Sequence, residues 1–431
     1  MIWQAFTQQA LANPTKTAIV CGEEELTYRH LMQRVYARAE ASGRGKVRLE
    51  NDWDKIDTVI AMLTAAMLKQ HLCIYDGNVP KPSFEWCPES AYLIVQSSGS
   101  TGAPKPIVLS QATKLRRINY VAKLYGVTSE DVILVSTPLY HSLAQRLVLM
   151  ALTKGCTLVV LPRWSAAMWY GAVIYDNATF TMTVPAQLNG IIDFVNHQVM
   201  PGNYATLSGM RCIVSSSAPM SDEVAEACIK TFPDTVLHEC YGTTEVSVVA
   251  NRHLSLHESG FTLTPEVGAT VLDAEQRPAP FGTEGELCFD TPYRADGYID
   301  GPSLKPCSGG DDDFRTGDLG ILTADGVCRI QLTGKTGNII NVGGTKVRAE
   351  DVEVTYMFFE PRIIDCAAFS MKHENLGEIV ALAFVGDFLP SGNLGLPDAA
   401  IPRYFFNVDK LPRNEMGKLM RSELPKLAGA I

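Results

Sequence analysis

Long apolar runs are missing from this 431-residue chain, and none reaches the length of a membrane-spanning helix. Positive charge is also short. The formal net charge is −10 at neutral pH, which argues against a nucleic-acid protein, because such a surface must neutralise phosphates. No Cys-x-x-Cys pair occurs among the 11 cysteines, whose scatter fits reduced thiols rather than a disulfide framework or a zinc ribbon. His253 and His257 stand four apart, but no third metal ligand lies near them, so they read as a surface pair. The first residues lack the basic end and apolar stretch of a secretory signal, and the expectation is a cytoplasmic protein. Lys114, Arg116 and Arg117 are the main local cluster of positive charge. They read as a solvated helix face or as a docking point for an acidic partner.

What is present is an alternation. Strand-like runs recur at Ala18–Val20, Leu72–Tyr75, Val132–Val135, Thr157–Leu161, Thr179–Thr183, Arg211–Val214 and Thr235–His238, with helical stretches between most of them. Thr27 is placed to cap a helix beginning near Tyr28. Such alternation predicts an α/β protein with largely parallel sheets covered by helices. From Val267 the pattern shifts to short strands and turns, a small β-rich subdomain. A glycine-rich stretch then marks a boundary between Gly334 and Gly337, leaving about a hundred residues for a small α+β domain. The expected division is residues 1–333 and 334–431.

Between two strand-like runs lies "SSGSTGAPKPIVLSQ", beginning at Ser97. Clustered glycines allow successive backbone N–H groups to converge on an anion, hydroxyls add donors, and Lys105 adds a charge. The loop is thus a candidate phosphate grip, with an ordinary hairpin turn as the bland alternative. It is not the P-loop of the usual NTPases, because Pro104 precedes the lysine and a strand follows. Nor does it hold the Gly-x-Ser-x-Gly of a serine-hydrolase elbow.

"SSGSTGAPKP" resembles the signature loop of the adenylate-forming superfamily: acyl- and aryl-CoA ligases, peptide-synthetase adenylation domains and luciferases. Further segments match in the family's order. They are "PLYHSLAQ" from Pro138, "SSSAPM" from Ser215, "ECYGTTEV" from Glu239, "GELCFDTPYRADGY" from Gly285, "FRTGDLG" from Phe314, "TGKTGNIINVGGTK" from Thr333 and "LPRNEMGKLMR" from Leu411. The resemblance implies a large N-terminal domain that binds ATP and the acid, followed by a small mobile C-terminal domain. It implies an AMP-forming acid–thiol ligase: a carboxylate attacks the α-phosphorus of ATP, pyrophosphate leaves, and the acyl group passes to a pantetheine thiol.

By that resemblance Ser97, Ser98, Gly99, Ser100, Thr101, Gly102 and Lys105 hold the β- and γ-phosphates. Thr244 contacts the α-phosphate and Glu245 holds Mg²⁺. Tyr241 offers a face to the adenine, with Gly242 and Thr243 beside it, and Ser216, Ser217, Ala218 and Pro219 line the edge of the base. Asp318 is the ribose ligand. Lys418 bridges the substrate carboxylate and the α-phosphate, and Gly343 and Gly344 leave room for the pantetheine arm. His141, Leu143, Ala144, Val184, Pro185 and Ser215 line the acid site, with His141 also gating the second step. Amino-acid-activating members carry an aspartate in the stretch that here reads "PLYHSLAQ", so an uncharged aryl or acyl tail is favoured.

Departures from the pattern occur at the domain junction. Lys335 stands where arginine is usual, Gly337 where aspartate is usual, and Lys346 where arginine is common. Lys335 keeps the charge toward the nucleotide without the forked donor geometry. The chain is also short between the first helical region and the phosphate loop, around Asp76 to Glu89, and the expectation is that part of the first subdomain is missing. The implied partners are a small carboxylic acid, free CoA or an acyl carrier protein, and a second copy of the chain in a homodimer. Two rival readings stay open: transfer to a non-thiol acceptor, and a catalytically inactive relative that binds nucleotide or acyl ligand as a sensor or scaffold.

Overall fold

A computed structural model describes residues 1–42, 47–97, 105–198, 207–256, 258, 260–307, 313–387, 390, 393–414 and 416–427. Ser98, Gly99, Ser100, Thr101 and Gly102 of the phosphate loop, and His257, lie outside the described residues. The chain divides into two compact units. One comprises Met1–Ser98, Ala103–Gly268 and Phe289–Phe314; the other is formed chiefly by Ala269–Cys288 and Arg315–Ile431. The expected boundary near Gly334 falls inside the second unit, at the end of the strand Cys328–Lys335.

Two sheets build the first unit. The larger contains a parallel run ordered Val236–Thr243, Cys212–Ser215, Phe180–Thr183, Val132–Val135, Thr157–Val160 and Thr17–Cys21. Cys212–Ser215, Val132–Val135, Thr157–Val160 and Thr17–Cys21 are legible as apolar runs, because strands covered on both faces need nearly continuous apolar sequence. Thr181 and Thr183 are fully buried within the run, and Thr181 Oγ1 donates its proton to Leu134 O at 2.9 Å. The chain leaves Val132–Val135 for the strand on one side, Thr157–Val160, then crosses to the strand on the other, Phe180–Thr183. Where consecutive connections diverge in this way, a crevice opens beyond the carboxyl ends of the strands, and ligands bind there.

The helix Tyr28–Ala41 is capped as expected, with Thr27 Oγ1 accepting from His30 N at 3.2 Å. Apolar helices such as Lys55–Leu68 and Ser142–Lys154 pack among the sheets with most of their residues buried. A core of Trp169, Leu188, Ile191, Val195, Phe232 and their neighbours fills the space beside the parallel run.

The smaller sheet is ordered Ser303–Lys305, Gly297–Asp300, Lys105–Leu109, Leu93–Ser97, His71–Tyr75 and Val47–Asn51. Leu93–Ser97 and Lys105–Leu109 run antiparallel, with Ser97 opposite Lys105. The glycine-rich loop is therefore the connection of a hairpin that has Lys105 at its base. The stretch from Asp76 to Glu89 holds no helix or strand.

In the second unit the strands Gly268–Leu272, Glu284–Asp290, Phe314–Ala324 and Cys328–Lys335 lie in that order. A further sheet joins Thr345–Arg348, Ile339–Val342, Gly377–Val385 and Asp365–His373, with Tyr404–Asn407 parallel to Gly377–Val385. The helix Ala349–Phe359 buries Val352 and Tyr356 in its core with Leu382 and Phe384.

One reading of local chemistry is corrected. Lys114 and Arg117 are not on a solvated face: each is 1% exposed, inside the first unit. His253, read with His257 as a surface pair, ends the strand Ser247–His253. Its ring packs edge-on against His238 at 4.8 Å.

Candidate active site

The strand Val236–Thr243 carries Tyr241, Gly242 and Thr243 at its carboxyl end and leads into the turn holding Thr244 and Glu245. Gly242 is obligatory there. A β-carbon on it would sit 1.9 Å from Ser247 O in the antiparallel neighbour. Tyr241 is buried, its ring tilted against Phe261 and Phe289 at 6.2 and 5.9 Å. Thr243 Oγ1 accepts from the N–H of Glu245 at 3.2 Å and of Val246 at 3.4 Å, which closes the turn.

Three residues from elsewhere hold that turn. Arg117, on the helix Gln111–Leu124, donates Nη1–H to Thr244 O at 2.8 Å, Nη2–H to Glu245 O at 2.6 Å and Nε–H to Tyr293 O at 2.6 Å. Ala295 N adds a second donor to Glu245 O at 2.6 Å. Tyr298 donates its hydroxyl proton to Glu245 Oε1 at 2.9 Å. Burial, then the Glu245 charge, pushes the Tyr298 phenol far above its ordinary range, so it is a donor at every working pH. Burial, then the charge of Arg146, lowers the proton affinity of Arg117, yet a guanidinium stays protonated at neutral pH.

Lys105 Nζ lies 5.9 Å from the centroid of the Tyr298 ring. The ring and hydroxyl of one tyrosine thus join the lysine of the glycine-rich loop to Glu245. Sequence reasoning placed neither Arg117 nor Tyr298 at the site. Tyr298 ends the quoted "GELCFDTPYRADGY", and its place at the end of that motif was the only signal in the sequence.

The acid-binding candidates gather at the divergence of the parallel sheet. Leu143, Ala144, Val184, Pro185 and Ser215 are buried, and His141 is mostly so. Burial pulls the His141 imidazole down to about 4, against weaker opposing pulls from Asp52 and Asp76, so it is neutral at pH 7. Its segment is clamped from both sides: Asp52 Oδ2 accepts from Leu139 N at 3.1 Å, and Gln145 Nε2 donates to Leu139 O at 3.1 Å. Asp52 also takes Lys55 Nζ at 2.9 Å, so this carboxylate is already paired. Close by in the sequence, Thr137 Oγ1, His141 Nε2 and Gln145 Oε1 are buried with no hydrogen-bond partner among the described residues, and so is Ser215 Oγ. Buried polar atoms left in this state fit a crevice built to receive a polar ligand. Ser216 N donates to Thr183 O at 2.9 Å, and Ser217 holds a left-handed backbone with φ of 75°, as strained residues at ligand sites do. Ala218 and Pro219 follow on the same loop.

Asp318, Lys335, Gly343, Gly344 and Lys418 lie in the second unit. Asp318 is 7% exposed and forms an ion pair with Lys335, directly opposite on the neighbouring strand. Gly343 and Gly344 are the two central residues of the tight hairpin joining Ile339–Val342 to Thr345–Arg348, with φ of 57° and 91°. That turn demands positive φ at both positions, which explains the glycine pair locally. Lys418 sits in a loop closed by Asn414, whose Oδ1 accepts from Met416 N and Lys418 N, both at 3.0 Å. Arg413 latches the loop by donating to Gly417 O at 3.0 Å and pairing with Asp365 at 2.8 Å.

Among the described residues no group of three or more histidines, cysteines and acids could hold a metal by itself. Glu245 alone, with one oxygen taken by Tyr298, fits a magnesium ion that arrives on phosphate oxygens rather than in a protein cage.

The family model described as AMP-binding enzyme matches residues 42–299. The chain belongs to the AMP-binding enzyme family. Bacitracin synthase 1 of Bacillus licheniformis is 25% identical over 80% of this chain and 7% of its own length. The 4-coumarate–CoA ligase-like 6 protein of Arabidopsis thaliana is 27% identical over 81% of this chain and 64% of its own. The chain therefore spans less than two thirds of the length of either. ATP-bound MatB from Rhodopseudomonas palustris superposes with a TM-score of 0.83 at 18% identity, covering 99% of both chains, and so shares the fold. No helix among the described residues is long and apolar enough to cross a membrane.

Proposed function

We propose that the chain activates a carboxylic acid as its acyl adenylate and then passes the acyl group to a pantetheine thiol, of CoA or of a carrier protein. The observation that carries this reading is the meeting of Lys105 and Glu245 at Tyr298, in a member of the AMP-binding family. In the first step a carboxylate oxygen bonds to the α-phosphorus of ATP, and the bond from that phosphorus to the bridging oxygen breaks, releasing pyrophosphate. In the second, a thiol sulfur bonds to the acyl carbon and AMP leaves with the pair of electrons, while the thiol proton passes to solvent. The relatives carry names of both kinds, a CoA ligase-like protein and a bacitracin synthase, and the acceptor is proposed only as the pantetheine arm common to CoA and carrier proteins.

Within this reading Glu245 holds Mg²⁺, which neutralises phosphate charge when bound. Thr244 contacts the α-phosphate. Lys105 and the residues 97–102 grip the outer phosphates, Tyr241, Gly242, Thr243 and the 216–219 loop hold the base, and Asp318 with Lys335 holds the ribose. Lys418, in the domain of residues 334–431, offsets the repulsion between the two anions that react. His141, neutral and buried, sets the carboxylate, and Val184, Leu143 and Ala144 favour an uncharged aryl or acyl tail. Asp52, the carboxylate hydrogen-bonded to the 138–145 segment, is already paired to Lys55.

The test is ATP–pyrophosphate exchange against a panel of aryl, acyl and amino acids. Exchange with an aryl or acyl acid is expected. Exchange with amino acids alone overturns the substrate class, and none with any acid favours a nucleotide-binding sensor. Thioester formation with CoA, run beside a phosphopantetheinylated carrier protein, decides the acceptor.

A further inference from the structure

We infer that Arg117 and Tyr298 are positioning residues that preset the Thr244–Glu245 turn for the metal–nucleotide complex before it arrives. The inference rests on the reading of Glu245 as the metal-holding residue. Arg117 fixes the backbone. Each of its three nitrogens donates to a carbonyl, Thr244 O, Glu245 O and Tyr293 O, at 2.8, 2.6 and 2.6 Å. Two of those carbonyls belong to the turn and the third to the segment that leads to Tyr298, so one planar fork joins both pieces. Only arginine carries that many donors in a rigid plane; lysine would serve one carbonyl well and lose the fork that joins the turn to Tyr293 O, although Glu245 O would keep Ala295 N.

Tyr298 fixes the side chain. Its hydroxyl takes Glu245 Oε1, which restrains the carboxylate from rotating. The ring of the same residue lies under Lys105, so the two charged groups that face the phosphates are spaced by one rigid side chain. Burial of a guanidinium is costly unless its donors are used. Arg117 is 1% exposed and ion-paired to no carboxylate among the described residues, and its work is done on the turn. Preset donors and acceptors lose little freedom on binding, which is where affinity is gained.

Three variants of the full chain, Glu245→Gln, Tyr298→Phe and Arg117→Lys, test this by calorimetry of ATP binding with and without Mg²⁺. Tyr298→Phe keeps the ring under Lys105 and removes only the hydroxyl. It is expected to lower the Mg²⁺-dependent part of ATP affinity about tenfold, the worth of one hydrogen bond to a charged group. AMP affinity without metal and the KM for the acid should stay at wild-type values, which general loosening of the fold would not allow. Arg117→Lys should show the same loss. Hydrogen exchange of the 243–247 segment in unliganded wild type supplies a readout independent of any variant's folding, and slow exchange is expected. If Glu245→Gln leaves the Mg²⁺ effect intact, the reading of Glu245 fails and the inference falls with it. If Glu245→Gln removes the effect while Tyr298→Phe and Arg117→Lys keep it, only the inference falls. Open-loop exchange rates in the unliganded wild type also overturn it.

Discussion

The carboxylate of Asp52 accepts the amide proton of Leu139 at 3.1 Å, across 87 residues of sequence, and ties the edge of the smaller sheet to the segment that carries His141. The same oxygen takes Lys55 Nζ, and the side chains of the pair are only 8% and 13% exposed. Asp52→Asn leaves a buried ammonium without its counter-charge. The expected cost is about 2 kcal/mol in urea unfolding, and the 138–141 segment should loosen. The KM for the acid should rise while that for ATP holds, because the displaced segment belongs to the proposed acid site. An unchanged urea midpoint would remove Asp52 from this role.

His141 makes stability depend on pH. Unfolded, its imidazole titrates near 6.5; folded, burial brings it to about 4. Between those values the unfolded chain binds more protons, so stability rises with pH across that window and is lost as pH falls through it. His238, also brought down to about 4 by burial and then by His253, adds in the same direction. Urea midpoints at pH 5 and pH 7 should differ, and His141→Asn should narrow the difference. A gap of the same size in the variant would assign the pH effect elsewhere.

Gly242→Ala tests the close approach of the two strands that carry the turn. Its β-carbon would meet backbone, Ser247 O at 1.9 Å, and backbone cannot swing aside as a side chain does. The expected loss is about 3 kcal/mol of stability, read as a lower melting temperature. A mutant that melts with the wild type would mean the bulge at Tyr241–Gly242 is softer than its geometry.

Lys418→Ala should cut pyrophosphate exchange by about a hundredfold or more, as loss of a preorganised charge does at other reacting centres. Thioester formation from acyl adenylate supplied ready-made should be spared. The loop backbone is held by Asn414 and Arg413, so its conformation should survive the substitution. Equal loss in both half-reactions would count against the assigned role.

The sequence alone determined most of the parallel run, because strands covered on both faces are largely apolar; that the glycine-rich segment joins two antiparallel strands with Ser97 opposite Lys105 was decided by the structure. Through motifs in order the sequence also put forward Glu245, His141, Asp318 and Lys418 as candidates for the chemistry. It did not reveal that Lys114 and Arg117 are buried. A helix's own period says which residues share a face, but not which face another segment covers, and here the segment from Tyr293, 176 positions beyond Arg117, contributes to that cover. Nor did it pair Asp52 with Leu139, or set Lys105 and Glu245 on the two sides of Tyr298. Those relations depend on distances between elements remote in the chain. Local propensity does not encode them, and only the packing of the whole unit brings a buried guanidinium to the carbonyls that repay its loss of water.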